Sequence, residues 1–289
     1  RSSAASDVYK RQTNESIVDA TPAAFTIHAP NRDDESDIAK LQIETSVADL
    51  IIGGGKAMYD KALEDSAYRQ MLEDNRITYA TTWEEVEAYP NEGRLIATLT
   101  DDYFEKAEEA SPTLAQMTEK ALSLLSESEE GFFLLVEGGA MDESAHVSDV
   151  LELTRQMLAF DDAVSLGIRF AAEHPDTIVI VTADHDTGGL QPKEQADPYV
   201  TAHRAEYHTS EMLKYEAALQ EANPEVDLAA LPYRFTTIAH TNNNVQVFAL
   251  GFGTEIFNGE TVQSFEIGKF IGAALGDESF GAQNKNGLQ

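Results

Sequence analysis

Six side chains able to bind a metal stand beside predicted strand ends or helix starts. Glu137 closes the apolar run FFLLVE at 132–137, and Gly138 and Gly139 follow it. Asp142 and His146 are four apart, which puts both on one face of a helix expected to begin near residue 143. Asp184 and His185 follow a second apolar run, TIVIVTA at 177–183, and His240 precedes a third, NVQVFALG at 244–251. Zinc takes imidazole and carboxylate readily, and an open fourth position makes such a site catalytic. Each feature alone has a plainer reading. A lone histidine beside a strand is ordinarily a hydrogen-bonded structural residue, and Glu-Gly-Gly is ordinarily a turn. The combination is what points to a metal centre. Cysteine is absent, which excludes thiolate ligands and disulfides.

These residues need a scaffold that brings strand ends together. Short Val/Ile/Leu runs recur at 49–53, 94–99, 132–137, 177–183 and 244–251, as strands buried on both faces of a parallel sheet would read. Helices are predicted over 35–46, 112–127, 145–173, 206–222 and 264–275. In SPTLAQMTEKALSLL, Ser111 is the expected cap, with Pro112 in the first turn. Strand and helix in alternation predict an α/β fold, a three-layer sandwich with a mostly parallel central sheet and helices on both faces. Sites in such folds form beyond the carboxyl ends of the strands, where Glu137 and Asp184 fall.

Composition narrows the function classes. The 289 residues carry 51 acids against 20 bases, a net charge of −31, which would repel a nucleic acid. No apolar run is long enough to span a membrane. GGGKAMYD at 53–60 places glycines after a strand but lacks the spacing of a phosphate-binding loop, so a structural turn is expected there.

The stretches VEGGAMDESAH, FDDAV, IVIVTADHDTGGL and AHTNNNVQVFALGFGTEIFNG closely resemble alkaline phosphatases. The resemblance extends to the helix at 111–125, to DLIIGGG and to VDATPAAFTIHAPNR, and covers roughly residues 13–275 in order. It implies two zinc ions and one magnesium. Asp142, His146 and His240 would bind the first zinc, and Asp184 and His185 the second. Glu137 and Thr21 would bind magnesium, with Asp19 orienting a water on it. Arg32 would grip phosphate with its two-pronged guanidinium; without the resemblance it reads as a solvated loop charge. Phosphate monoesters are the implied substrates and a phosphoserine the implied intermediate. A periplasmic or secreted location is implied, and a homodimer is compatible with it.

The chain also departs from the pattern. The family's Asp-Ser-Ala nucleophile motif lies about fifty residues before the DAT motif, yet only 18 residues precede Asp19. Residues 1–12, RSSAASDVYKRQ, are expected to be a non-native tail, 13–275 a catalytic domain lacking its N-terminal part, and 276–289 a polar tail. The span as given is therefore expected to be inactive. Glu143 stands where the family commonly has Lys, Trp or His. Two alternatives stay open: another metal-dependent phosphoryl-transfer enzyme of the superfamily, a phosphodiesterase or mutase, and a non-catalytic acidic metal-binding module. His28 is a candidate neighbour of the Arg32 loop, His174 a surface residue, and His203 and His208 part of an irregular rim segment over 190–235.

Overall fold

The computed structural model describes residues 9–45, 47–128, 131–193, 210–259 and 261–276. His203, His208, residues 1–8 and 277–289 of the expected tails, and the start of the helix expected at 206 lie outside these.

Five strands form the main sheet: β1 (Tyr9–Ser16), β2 (Ala48–Gly54), β3 (Ile77–Ala80), β4 (Arg94–Thr98) and β5 (Phe133–Glu137). Their order is β3-β4-β2-β1-β5, and every pairing is parallel. Helices α1 (Ala20–Thr26), α2 (Glu35–Thr45), α3 (Lys56–Ala62), α4 (Ser66–Asp74) and α5 (Trp83–Glu87) come from the first third. α6 (Leu114–Leu125), α7 (Ala140–His146) and α8 (Val150–Glu173) follow.

Alternation along the strands builds two cores. Leu50, Ile52, Leu95 and Ala97 pack with Leu114, Met117 and Ala121 of α6 and Ala163 of α8. Ile51 and Ile96, one residue out of phase, pack with Ala23 of α1, Ile38 and Ile43 of α2 and Tyr59 of α3. Successive strand residues point to opposite faces, so a run apolar at every position needs cover on both sides. The result is the three-layer arrangement expected from the sequence.

The rest of the described chain forms small antiparallel pairs. β6 (Val179–Val181) pairs with β11 (Phe248–Leu250), β7 (Asp186–Thr187) with β10 (His240–Thr241), and β8 (Gln191–Pro192) with β9 (Tyr233–Arg234). α9 (Ser210–Ala222) and α10 (Ser264–Ala274) complete it.

Several element boundaries differ from expectation, each for a local reason. α6 begins at Leu114, because Thr113 and Gln116 form a reciprocal capping box; Pro112 precedes the helix. The helix expected over 145–173 is two helices. Ser148 adopts φ 57°, and the Asp149 carboxylate accepts from the amides of Leu151 and Glu152 to start α8 afresh. The helix carrying Asp142 begins at Ala140, not near 143. GGGKAMYD is a strand end, a left-handed Gly55 at φ 95°, and a helix from Lys56, not a plain turn. Tyr9–Gln12, inside the segment read as a tail, form the first half of β1.

Candidate metal centre

Local sequence sets up the first half of the site. Gly138 and Gly139 let the chain turn sharply from β5 into α7. A Cβ on Gly139 would fall 2.7 Å from Cβ of Glu15, so only glycine fits against β1 there. On α7, Asp142 and His146 come together, with Asp142 Oδ2 3.1 Å from His146 Nε2. His146 Nδ1 lies 2.6 Å from the Ile238 carbonyl oxygen. A carbonyl only accepts, so Nδ1 carries the hydrogen and Nε2 keeps its lone pair for a metal.

Long-range pairing supplies the second half. In the β7–β10 ladder His240 faces Thr187. Across the site, Nε2 of His240 is 3.2 Å from Nε2 of His146 and 3.7 Å from Asp142 Oδ1. Ligand atoms of Asp142, His146 and His240 all lie within 4.8 Å of one another. Thr187 donates a short hydrogen bond to Asp142 Oδ1 and lies 3.1 Å from Nδ1 of His185. The His185 ring stacks on His240 at 3.6 Å between centroids, and its Nε2 is 3.2 Å from Asp184 Oδ2. The structure thus gathers five of the sequence-predicted ligands: a tight trio, with the Asp184–His185 pair beside it.

The remaining candidates lie on neighbouring elements. Glu137, at the end of β5, accepts from Thr13 Oγ1 at 2.7 Å. Thr21 is half-buried in the first turn of α1, whose N-cap residue is Asp19. Arg32 Nη2 lies 3.0 Å from Asp19 Oδ1, with the arginine side chain 64% exposed. His28 is exposed, and His174 is half-buried at the end of α8, stacked on Phe170 at 3.9 Å.

Acids crowd this end of the sheet. Burial pushes the Glu15 carboxyl up to about 8; Asp19, Glu143 and Glu137 add to this, and the Ser16 amide opposes it. Glu143 is raised by burial first and then by Asp142, with His146 opposing. Asp102 is raised by burial, Glu105 and Asp19. A divalent cation nearby would favour the charged forms of these acids, and the imidazole and carboxylate donors of Asp142, His146 and His240 suit zinc. Thr13, Asn14, Glu15 and Thr187 were not among the sequence candidates. The signal for the first three was TNES, a polar stretch just before the DAT motif. Thr187 stood two residues after His185.

The family profile for alkaline phosphatase matches residues 97–276. Alkaline phosphatase 4 of Bacillus subtilis is 28% identical over 286 residues, spanning 83% of this chain and 61% of its own length. Streptomycin-6-phosphate phosphatase of Streptomyces griseus is 29% identical, spanning 60% of this chain and 50% of its own. The chain therefore spans about three fifths or less of these relatives. Alkaline phosphatase from the Antarctic bacterium TAB5 superposes with a TM-score of 0.68 at 26% identity, covering 86% of this chain and 67% of that one. A variant of that enzyme, solved with Mg bound, superposes at 0.66 and 26% identity.

Proposed function

Because the chain belongs to the alkaline phosphatase family, we propose that the protein hydrolyses phosphate monoesters at the cluster centred on Asp142, His146 and His240. The observation that carries this is the meeting of two imidazoles and a carboxylate within 4.8 Å, with His146 held by a carbonyl in its metal-accepting tautomer.

In this reading Asp142, His146 and His240 hold one zinc, Asp184 and His185 a second, and Glu137 and Thr21 a magnesium, with Asp19 acting beside them through water. Bound there, these ions supply Lewis-acid stabilisation of the charge on the transferring phosphoryl oxygens. Arg32 clamps two of those oxygens with its guanidinium, and Asp19 holds it ready at 3.0 Å. The nucleophile is a serine from a segment outside the described residues, and the intermediate a phosphoserine. A periplasmic or secreted location and a homodimer complete the reading. The match to a streptomycin-6-phosphate phosphatase supports the monoester class.

The test is to assay the protein on a chromogenic monoester and a diester side by side, before and after chelation. The expected result is monoester turnover lost on chelation and restored by zinc with magnesium. Turnover that survives chelation, or that favours the diester, overturns the reading. If the serine lies outside residues 13–289, that span alone takes up metal without turnover.

A further inference from the structure

We propose that Thr13 and Asn14, at the carboxyl end of β1, are positioning residues that clamp the Glu137–Ala140 corner and so set where the ligands of β5 and α7 point. The inference rests on the metal-centre reading above.

Thr13 and Glu137 are register partners across the β1–β5 ladder. The Thr13 hydroxyl donates to Glu137 Oε2 at 2.7 Å and accepts from the Glu15 amide at 2.9 Å. With both roles used, it has one orientation, and it commits one Glu137 oxygen to the strand. Its methyl faces Gly53 of β2, where an added Cβ would come within 2.8 Å of Thr13 Cγ2. Serine keeps the hydroxyl but not this packing, and valine keeps the packing but not the hydroxyl.

Asn14 grips the next turn of chain. α7 has no side-chain cap of its own, since Gly139 stands at its N-cap. Asn14 Oδ1 instead accepts from the Ala140 amide at 3.3 Å, capping α7 from another strand. The Asn14 amide group donates to Gln156 Oε1 at 2.9 Å. Gln156 donates to Glu152 Oε1 at 2.9 Å, and that oxygen also accepts from the Ala107 amide at 2.8 Å. The Asn14, Glu152 and Gln156 side chains are all buried, with Gln156 1% exposed. A seven-residue helix is marginal alone, so its direction must come from outside contacts. The clamp provides them.

The experiment measures metal binding in the intact protein, independently of turnover. Mg²⁺ is titrated by calorimetry. Co²⁺ is titrated by its visible bands, which report the symmetry of its ligands. Replacing such outer partners typically lowers metal affinity by about ten- to a hundredfold. Thr13→Val should weaken Mg²⁺ by that factor, and Thr13→Ser should restore most of it. Asn14→Leu should weaken Co²⁺ by a similar factor and alter its bands. Circular dichroism confirms folding, and the serine rescue separates positioning from general damage. Parent-like Mg²⁺ affinity in Thr13→Val, or parent-like Co²⁺ affinity and bands in Asn14→Leu, overturns the clamp. Asp142→Asn is the reference. If it loses Co²⁺ while the clamp variants do not, the clamp alone falls. If it binds Co²⁺ like the parent, the metal-centre reading falls and takes the clamp with it.

Discussion

The Nε2 atoms of His146 and His240 stand 3.2 Å apart, though 94 residues separate them in the chain. Two protons cannot share that gap comfortably, whereas one cation between two lone pairs can. His240→Ala should therefore lower zinc content, from the expected two ions per chain toward one, with the secondary structure kept. Elemental analysis of metal-loaded protein checks this, and unchanged zinc removes His240 from the ligand set.

Arg32→Ala should leave metal content intact and weaken inhibition by phosphate. A hydrogen bond to a charged group is worth about 1.5–3 kcal/mol, or roughly ten- to a hundredfold in kcat/KM. Thermal stability should hardly move, since the Arg32–Asp19 pair is exposed. Inhibition constants for phosphate in parent and variant decide it. An untouched constant returns Arg32 to a solvated loop charge.

Glu15 sets a pH dependence in the metal-free protein. Its folded pKa is raised from 4.5 to about 8, chiefly by burial. Between these values the folded state holds a proton that the unfolded state has lost. Stability from this group is therefore full below about pH 4.5 and falls as pH rises toward 8. Glu15→Gln should flatten that fall and raise Tm at pH 8 more than at pH 5. Equal Tm shifts at both pH values would contradict the buried, protonated carboxyl.

Gly139→Ala should destabilise the protein by about 1–3 kcal/mol, the usual cost of overpacking a filled space. The added methyl would meet Glu15 Cβ at 2.7 Å, and the neighbour is rigid strand. Denaturant unfolding measures the loss. A neutral substitution would mean that the β5–α7 corner can shift away from β1.

Gln12 is 1% exposed in the middle of the sheet, and neither Oε1 nor Nε2 finds a hydrogen-bond partner among the described residues. Leaving such groups unsatisfied costs about 1–3 kcal/mol. Gln12→Met, close in shape, should recover a gain of that order in unfolding free energy. A loss would show that the amide is satisfied by water.

The strands of the parallel sheet at 49–53, 94–99 and 132–137 and the residues proposed for the site were legible in the sequence, whereas the runs at 177–183 and 244–251, read there as strands of the same sheet, pair antiparallel outside it. DLIIG and RLIATL carry consecutive apolar residues, Leu50–Ile52 and Leu95–Ala97, too short for a helix and suited to a strand covered on both faces. Asp142 and His146 could be placed together because helical spacing is local. β1 escaped this logic. TNES is polar, and a central parallel strand is expected to be Val- and Ile-rich. The side chains of Thr13, Asn14, Glu15 and Ser16 are nonetheless buried, and Thr13 and Asn14 spend their polarity on Glu137, Ala140 and Gln156. In the fold His240 meets Asp142 and His146, a grouping that the resemblance implied and local periodicity could not. That meeting depends on the two-residue β7–β10 ladder and on the carbonyl of Ile238, contacts between segments far apart in the chain. Periodicity reads what one segment buries. It carries no information about which distant segment supplies the partner.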